Sequence, residues 1–133
     1  MGRKEIREQI FNLLFRVEFH NEEARKEQEH LYFEKYEDLF EVEESEYIRE
    51  KYGQILVNLS EIDDALNAQT TGWKTDRMSK VDLAILRLAL YEVKWDEDIP
   101  VGVAINEAVE IAKKFGGNES PAFVNGVLAK FVD

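Results

Sequence analysis

The sequence predicts an all-α protein of about seven helices in two packed sub-bundles. Apolar residues recur at helical spacing along nearly the whole chain, and helix start and stop signals punctuate them. No Val/Ile-rich alternating segment bounded by turn residues competes as a strand.

The elements follow in order. Ile6, Ile10, Leu13, Leu14 and Val17 form the stripe of an amphipathic first helix. Tyr32, Phe33, Tyr36 and Phe40 predict a second, and Ile48, Tyr52, Ile55, Leu56 and Leu59 a third. Between them, the acidic stretch Glu41–Glu46 reads as an exposed turn and helix start. Ser60 with Asp63 resembles a capping box opening a fourth helix, whose face runs Ile62, Ala65, Leu66, Gln69, Trp73. Ser79 with Asp82 repeats that signal ahead of Val81–Val93, the most apolar stretch and the expected central strut, with Lys80, Arg87, Tyr91 and Lys94 along one edge. Ile99-Pro100 ends it and starts a sixth helix through Phe115, because proline fits a first turn and not an interior. Gly116-Gly117 predicts a left-handed stop, and Ser120-Pro121 caps a last helix through Val132. Gly126 inside that helix is expected to serve a close helix–helix contact, since glycine there is otherwise unfavourable by about 1 kcal/mol.

The 133 residues suit one domain with sub-bundles at about 1–58 and 59–133. Hydrophobic residues at 44% supply a core despite 34% charge. The absence of cysteine excludes disulfides, a thiolate nucleophile and cysteine-based metal sites. The longest apolar run, Leu88–Tyr91, is far short of the roughly 18 residues of a membrane span, and Met1–Glu5 leads into no export signal. The expectation is a soluble cytoplasmic protein that engages no membrane. His20 and His30 have no second ligand at metal spacing, and no nucleophile elbow or phosphate-binding glycine loop is present. No enzyme, catalytic residue, metal or cofactor is expected.

A net charge of −11 argues against a polyanionic ligand until its distribution is read. Residues 1–16 carry +2, residues 17–51 carry −8 and residues 52–133 carry −5. Arg3, Lys4 and Arg7 therefore form a positive tip, at a helix start where the dipole prefers anions. Behind them Phe11, Phe15 and Phe19 make a second stripe nearly opposite the first, so this helix is either enclosed in the core or lays one stripe on another chain. Asp82 is either the third-position partner of the Ser79 cap or a polar contact to a partner. The turn Gly116–Ser120 permits close backbone approach, and Phe123 either packs inside or offers its face to an unstacked base.

Several ordered blocks now become recognisable. Trp73–Arg77, Val81–Glu92, Ile99-Pro100, Ala104–Gly116 and Phe123-Val124-Asn125-Gly126-Val127-Leu128 resemble the bacterial NusB family of antitermination factors over residues 60–133. Arg7-Glu8 and the helix behind it resemble that family's N-terminal segment; between about 20 and 58 only helical length agrees. The resemblance implies two helical bundles that bind single-stranded boxA RNA of leader and ribosomal transcripts, together with NusE, a small-subunit ribosomal protein, in a complex that carries RNA polymerase past terminators. By position it gives the RNA side to Arg3, Lys4, Arg7, Asn118, Glu119, Ser120 and Phe123, and the partner side to Phe15 and Asp82. A homodimer through the aromatic stripe stays open. Where many members crowd arginines, this chain has Arg3-Lys4-Glu5-Ile6-Arg7, which implies dependence on NusE for tight binding; Arg7→Ala is expected to flatten the salt dependence. Two rival readings are the NusB-like accessory domain of ribosomal-RNA cytosine methyltransferases, disfavoured because no cofactor-binding α/β region follows Asp133, and a helical protein-interaction module.

Overall fold

The computed structural model describes residues 2–36 and 38–132; Met1, Glu37 and Asp133, and with them the expectations about the chain's two ends, lie outside it. Seven helices are present among the described residues: α1 (Arg3–Val17), α2 (Glu22–Tyr36), α3 (Val42–Val57), α4 (Leu59–Gln69), α5 (Lys80–Lys94), α6 (Val101–Phe115) and α7 (Ser120–Ala129). The described residues include no strand, so the all-α expectation holds. The chain divides into two compact units, Met1–Gln54 and Ile55–Asp133.

In the first unit, α1 packs against α2. The Tyr32 hydroxyl donates to Gln9, and the Arg16 guanidinium lies 5.2 Å from the Tyr32 ring centroid. Arg49 sits 4.0 Å over the Phe33 ring and the Tyr52 hydroxyl donates to Glu29 at 2.6 Å, tying α3 to α2. Burial, and then the Glu29 carboxylate, push the Tyr52 phenol well above its ordinary range. Two side chains close free helix starts: Asn21 Oδ1 accepts from the Ala24 N–H at 2.8 Å, and Glu44 accepts from the Glu41 N–H at 3.1 Å. The second helix stops at Tyr36, earlier than its aromatic face; Phe40 lies beyond it, buried, with its ring stacked 5.7 Å from Tyr36.

In the second unit, α5 is the central strut and packs on α4, α6 and α7. Residues 83–90 are buried without a break, as a helix apolar on nearly every side requires. The start signal works as written: Ser79 Oγ accepts from the Asp82 N–H at 3.1 Å. Small residues on α6 (Ala104, Ala108, Ala112) are buried beside Ile111, and α7 buries Val124, Val127 and Leu128.

Some expectations about helix starts and glycines need correction. Ser60 caps nothing: α4 begins at Leu59, and the Asp63 carboxylate turns to Arg87 instead. Arg87, on the edge it shares with Lys80, Tyr91 and Lys94, accordingly lies inside, 4% exposed. Neither Gly116 nor Gly117 is left-handed; the positive φ found among the described glycines is at Gly72, +81°. Gly126 serves no close contact, since an added Cβ would meet nothing within 4 Å. The physical consequence is testable. Gly126→Ala should raise thermal stability by about 0.5–1 kcal/mol through the unfolded chain's lost freedom; a drop in melting temperature would show that this face has a packing role.

Candidate nucleic-acid interface

The loop between α6 and α7 is built by one close approach. A Cβ at Gly116 would fall 2.5 Å from the Ser120 side chain and 2.8 Å from the Ala112 carbonyl oxygen, so only glycine lets the start of α7 fold back there. Gly117 N–H donates to Ser120 Oγ at 3.1 Å, which fastens the loop to its own helix start. Ser120 is thereby buried with its hydroxyl engaged, and it opens α7 from inside the helix rather than capping it. Asn118 and Glu119 stay exposed at the tip, and Phe123 is half-buried one turn further on.

Phe123 meets Trp73 edge to face, ring centroids 6.1 Å apart. Trp73 was expected to continue the apolar face of the fourth helix, but that helix ends at Gln69. The Thr70 hydroxyl donates to the Leu66 carbonyl at 2.9 Å, and Gly72 takes the left-handed conformation at φ +81°. The following turn is held by Asn67, whose side chain accepts from the Thr75 N–H at 2.8 Å and whose carbonyl accepts from Lys74 Nζ at 2.5 Å. Lys130 Nζ bonds the Gln69 carbonyl at 2.9 Å, so two lysines satisfy the last turn of α4. The sequence signal for this turn was present in Thr70-Thr71-Gly72, ahead of an isolated aromatic.

These pieces enclose a cavity of about 410 Å³ lined by Trp73, Met78, Ser79, Asp82, residues 117–120 and Phe123. Four of the seven expected RNA residues and one expected partner residue, Asp82, thus share one site. Asp82 Oδ1 is buried and has no hydrogen-bond partner among the described residues.

The first unit holds the remaining expected residues. Arg3 and Lys4 are exposed on the opening turn of α1, next to Glu5. Arg7 is different: it is 7% exposed and engaged within the protein. Phe15 is half-buried in a ladder of rings, 6.4 Å from Phe11 and 5.1 Å from Phe19. The ladder runs from a buried Phe11 to a Phe19 that is 56% exposed, so the second stripe of α1 is core at one end and surface at the other. Among the described residues no cluster of three or more His, Cys, Asp or Glu could hold a metal. Among them, too, no helix is long and apolar enough to cross a membrane.

The NusB family model matches residues 4–133. The chain is 53% identical to the transcription antitermination protein NusB of Agathobacter rectalis over 131 residues, 98% of this chain and 99% of that protein. It is 49% identical to the corresponding protein of Lachnoclostridium phytofermentans over the full length of both. Among solved structures, T. maritima NusB superposes with a TM-score of 0.84 at 36% identity, covering 98% of this chain and 89% of that one. A crystal structure of antitermination factors NusB and NusE in complex with double-stranded RNA shares the fold at a TM-score of 0.81, 24% identity, covering 96% and 93%. A family pattern that runs through every helix, together with the fold itself, leaves one assignment: the chain belongs to the NusB family.

Proposed function

We propose that this protein is a transcription antitermination factor that binds boxA RNA together with NusE and joins an antitermination complex on RNA polymerase. It acts by binding, in the cytoplasm, and not as an enzyme. The observation that carries this reading is the match to the NusB family over residues 4–133. A NusB of the same fold in complex with NusE and double-stranded RNA gives the precedent for both partners.

The proposed RNA side takes phosphates at Arg3 and Lys4, with Arg7 as the buried third member of that tip, and the strand at Asn118, Glu119, Ser120 and Phe123; Phe15 and Asp82 face NusE, and the exposed end of the phenylalanine ladder is where a homodimer would form. Arg3 and Lys4 are the accessible cations of that tip, whereas Arg7 sits behind them. Glu119 and the chain's net charge of −11 oppose a polyanion, so a second basic surface from NusE is required for tight binding.

Filter binding of a boxA oligonucleotide over a salt series, with and without NusE, tests this. NusE should tighten binding, and equal affinities would overturn its proposed role. Arg3→Ala and Lys4→Ala should each lower the log–log salt slope by roughly 0.7, the value for one phosphate contact on a single strand. Arg7→Ala belongs in the same series with a thermal melt beside it, because its side chain is buried. An unchanged slope removes the substituted residue from the interface.

A further inference from the structure

We infer that the outer face of α3, from the turn ahead of it to Glu50, is a docking surface for a cationic amphipathic helix of a protein partner. The surface uses none of the residues assigned above to RNA or NusE and does not rest on that assignment.

The chain leading into α3 is well fastened and yet presents apolar side chains to water. The Leu39 and Phe40 N–H groups both donate to the Tyr36 carbonyl, at 2.9 and 3.2 Å. Phe40 is buried with its ring stacked on Tyr36, and Glu44 closes the start of α3 on the Glu41 N–H. Leu39 and Val42 stand on either side of that anchor at 68% and 74% exposure, and Tyr47 follows in the second turn of the helix at 44%. The Lys51 ammonium donates to the Tyr47 hydroxyl at 3.3 Å, which fixes the ring in place. Single exposed apolar residues are ordinary on any protein. Three of them between Leu39 and Tyr47, on a backbone already ordered, offer a partner apolar contact without the entropy of ordering it.

Charge decides what kind of partner fits. From Asp38 to Tyr47 the chain has five acids and no base. Two of them, Glu43 and Glu44, lie in the first turn of α3, where the helix dipole favours them. Glu46 and Glu50 lie beyond that turn, and at i, i+4 they repel one another. Both are exposed, and neither joins an ion pair among the described residues. Arg49, the base between them, lies over the Phe33 ring instead. Helical spacing puts Glu43, Tyr47 and Glu50 on one side of α3, with Glu46 at its edge, away from the buried Ile48 and Tyr52. A partner helix laid along this side meets apolar side chains at its start and a row of carboxylates beyond them. The complement is an apolar edge flanked by lysines or arginines at helical spacing, whose cations also relieve the Glu46–Glu50 repulsion. The same carboxylates repel RNA and anionic lipid, so neither is the occupant.

The test titrates the isotope-labelled full chain with a synthetic amphipathic helix of lysine and leucine at physiological salt, followed by nuclear magnetic resonance. Amide shifts should concentrate on residues 38–50, and Leu39→Ser/Val42→Ser should weaken the peptide about tenfold or more. A peptide of lysine and serine, equal in charge but without an apolar edge, should likewise bind about tenfold or more weakly than the leucine one. Glu46→Gln/Glu50→Gln should weaken binding several-fold and flatten its salt dependence. Far-UV circular dichroism checks that both variants fold, and their boxA binding with NusE should be unchanged. Equal affinity for the two peptides, or shifts spread over the whole acidic surface, reduces the face to unspecific charge and overturns the proposal. No peptide binding overturns it as well. Shifts at residues 38–50 on adding uridine oligomer or anionic vesicles overturn the choice of a protein partner. Shifts there that grow with protein concentration alone assign the face to a second copy of the chain and overturn it too. Lost boxA binding in a folded Leu39→Ser/Val42→Ser variant makes the turn part of the RNA-binding surface, which overturns a separate site and leaves the RNA-binding reading standing.

Discussion

Asp63→Ala should lower the free energy of unfolding by about 3 kcal/mol, a large share of the roughly 5–15 kcal/mol a domain possesses. Arg87 Nε and Nη2 donate to the two Asp63 carboxylate oxygens at 2.9 and 2.7 Å, a planar fork on a planar acceptor. The two partners are buried unequally: the Arg87 side chain is 5% exposed and that of Asp63 is 24%. Removing the carboxylate strips its bidentate partner from a guanidinium that water cannot reach. Removing the guanidinium leaves a carboxylate that water can partly solvate, so Arg87→Met should cost only about 1–2 kcal/mol. The double variant Asp63→Leu/Arg87→Met, with neither member of this ion pair left, should return to within about 1 kcal/mol of the parent protein. Urea unfolding followed by circular dichroism measures all three, and equal losses for the two single variants would contradict the asymmetry.

Gly116→Ala should be the most damaging change in the candidate site that alters no functional group. The new Cβ would press on the Ser120 side chain and the Ala112 carbonyl, both fixed by helix packing rather than at the end of a flexible chain. Relief requires the start of α7 to move, which breaks the Gly117 N–H bond to Ser120 Oγ. The expected loss is about 1–3 kcal/mol, with faster amide exchange through residues 117–123 and weaker boxA binding. Gly117→Ala is the matched control: nothing lies within 4 Å of its added Cβ, so its stability should change by less than about 0.5 kcal/mol. Indistinguishable melting temperatures for the two variants would show that the close approach at Gly116 is not what holds the loop.

Much of the fold was legible because helical periodicity is local. The stripe Ile10, Leu13 and Leu14 and the continuous apolar run of α5 are buried as their spacing requires, and Ser79 caps the helix it precedes. The blocks Val81–Glu92 and Phe123–Leu128 likewise carried the family in their residue order. The errors share a physical origin. Ser60–Asp63 is a valid capping pattern, but a buried guanidinium is a stronger claimant for a carboxylate than one backbone N–H. Gly126 and Gly116 look alike as letters; one faces open space, and the other leaves room for a neighbouring helix start.

The sequence by itself determined the helices, the separation of a positive tip from an acidic middle, and the family, since these depend on neighbours within a few residues or on their order. Only the tertiary structure decided that Arg7 and Arg87 are inside, that Trp73 leaves its helix to stand beside Phe123, and that Asp82 lines the same cavity as the loop before α7. Burial, ring contact and the pairing of charges depend on residues far apart in the chain, and no local pattern encodes which of two competing partners a side chain will meet.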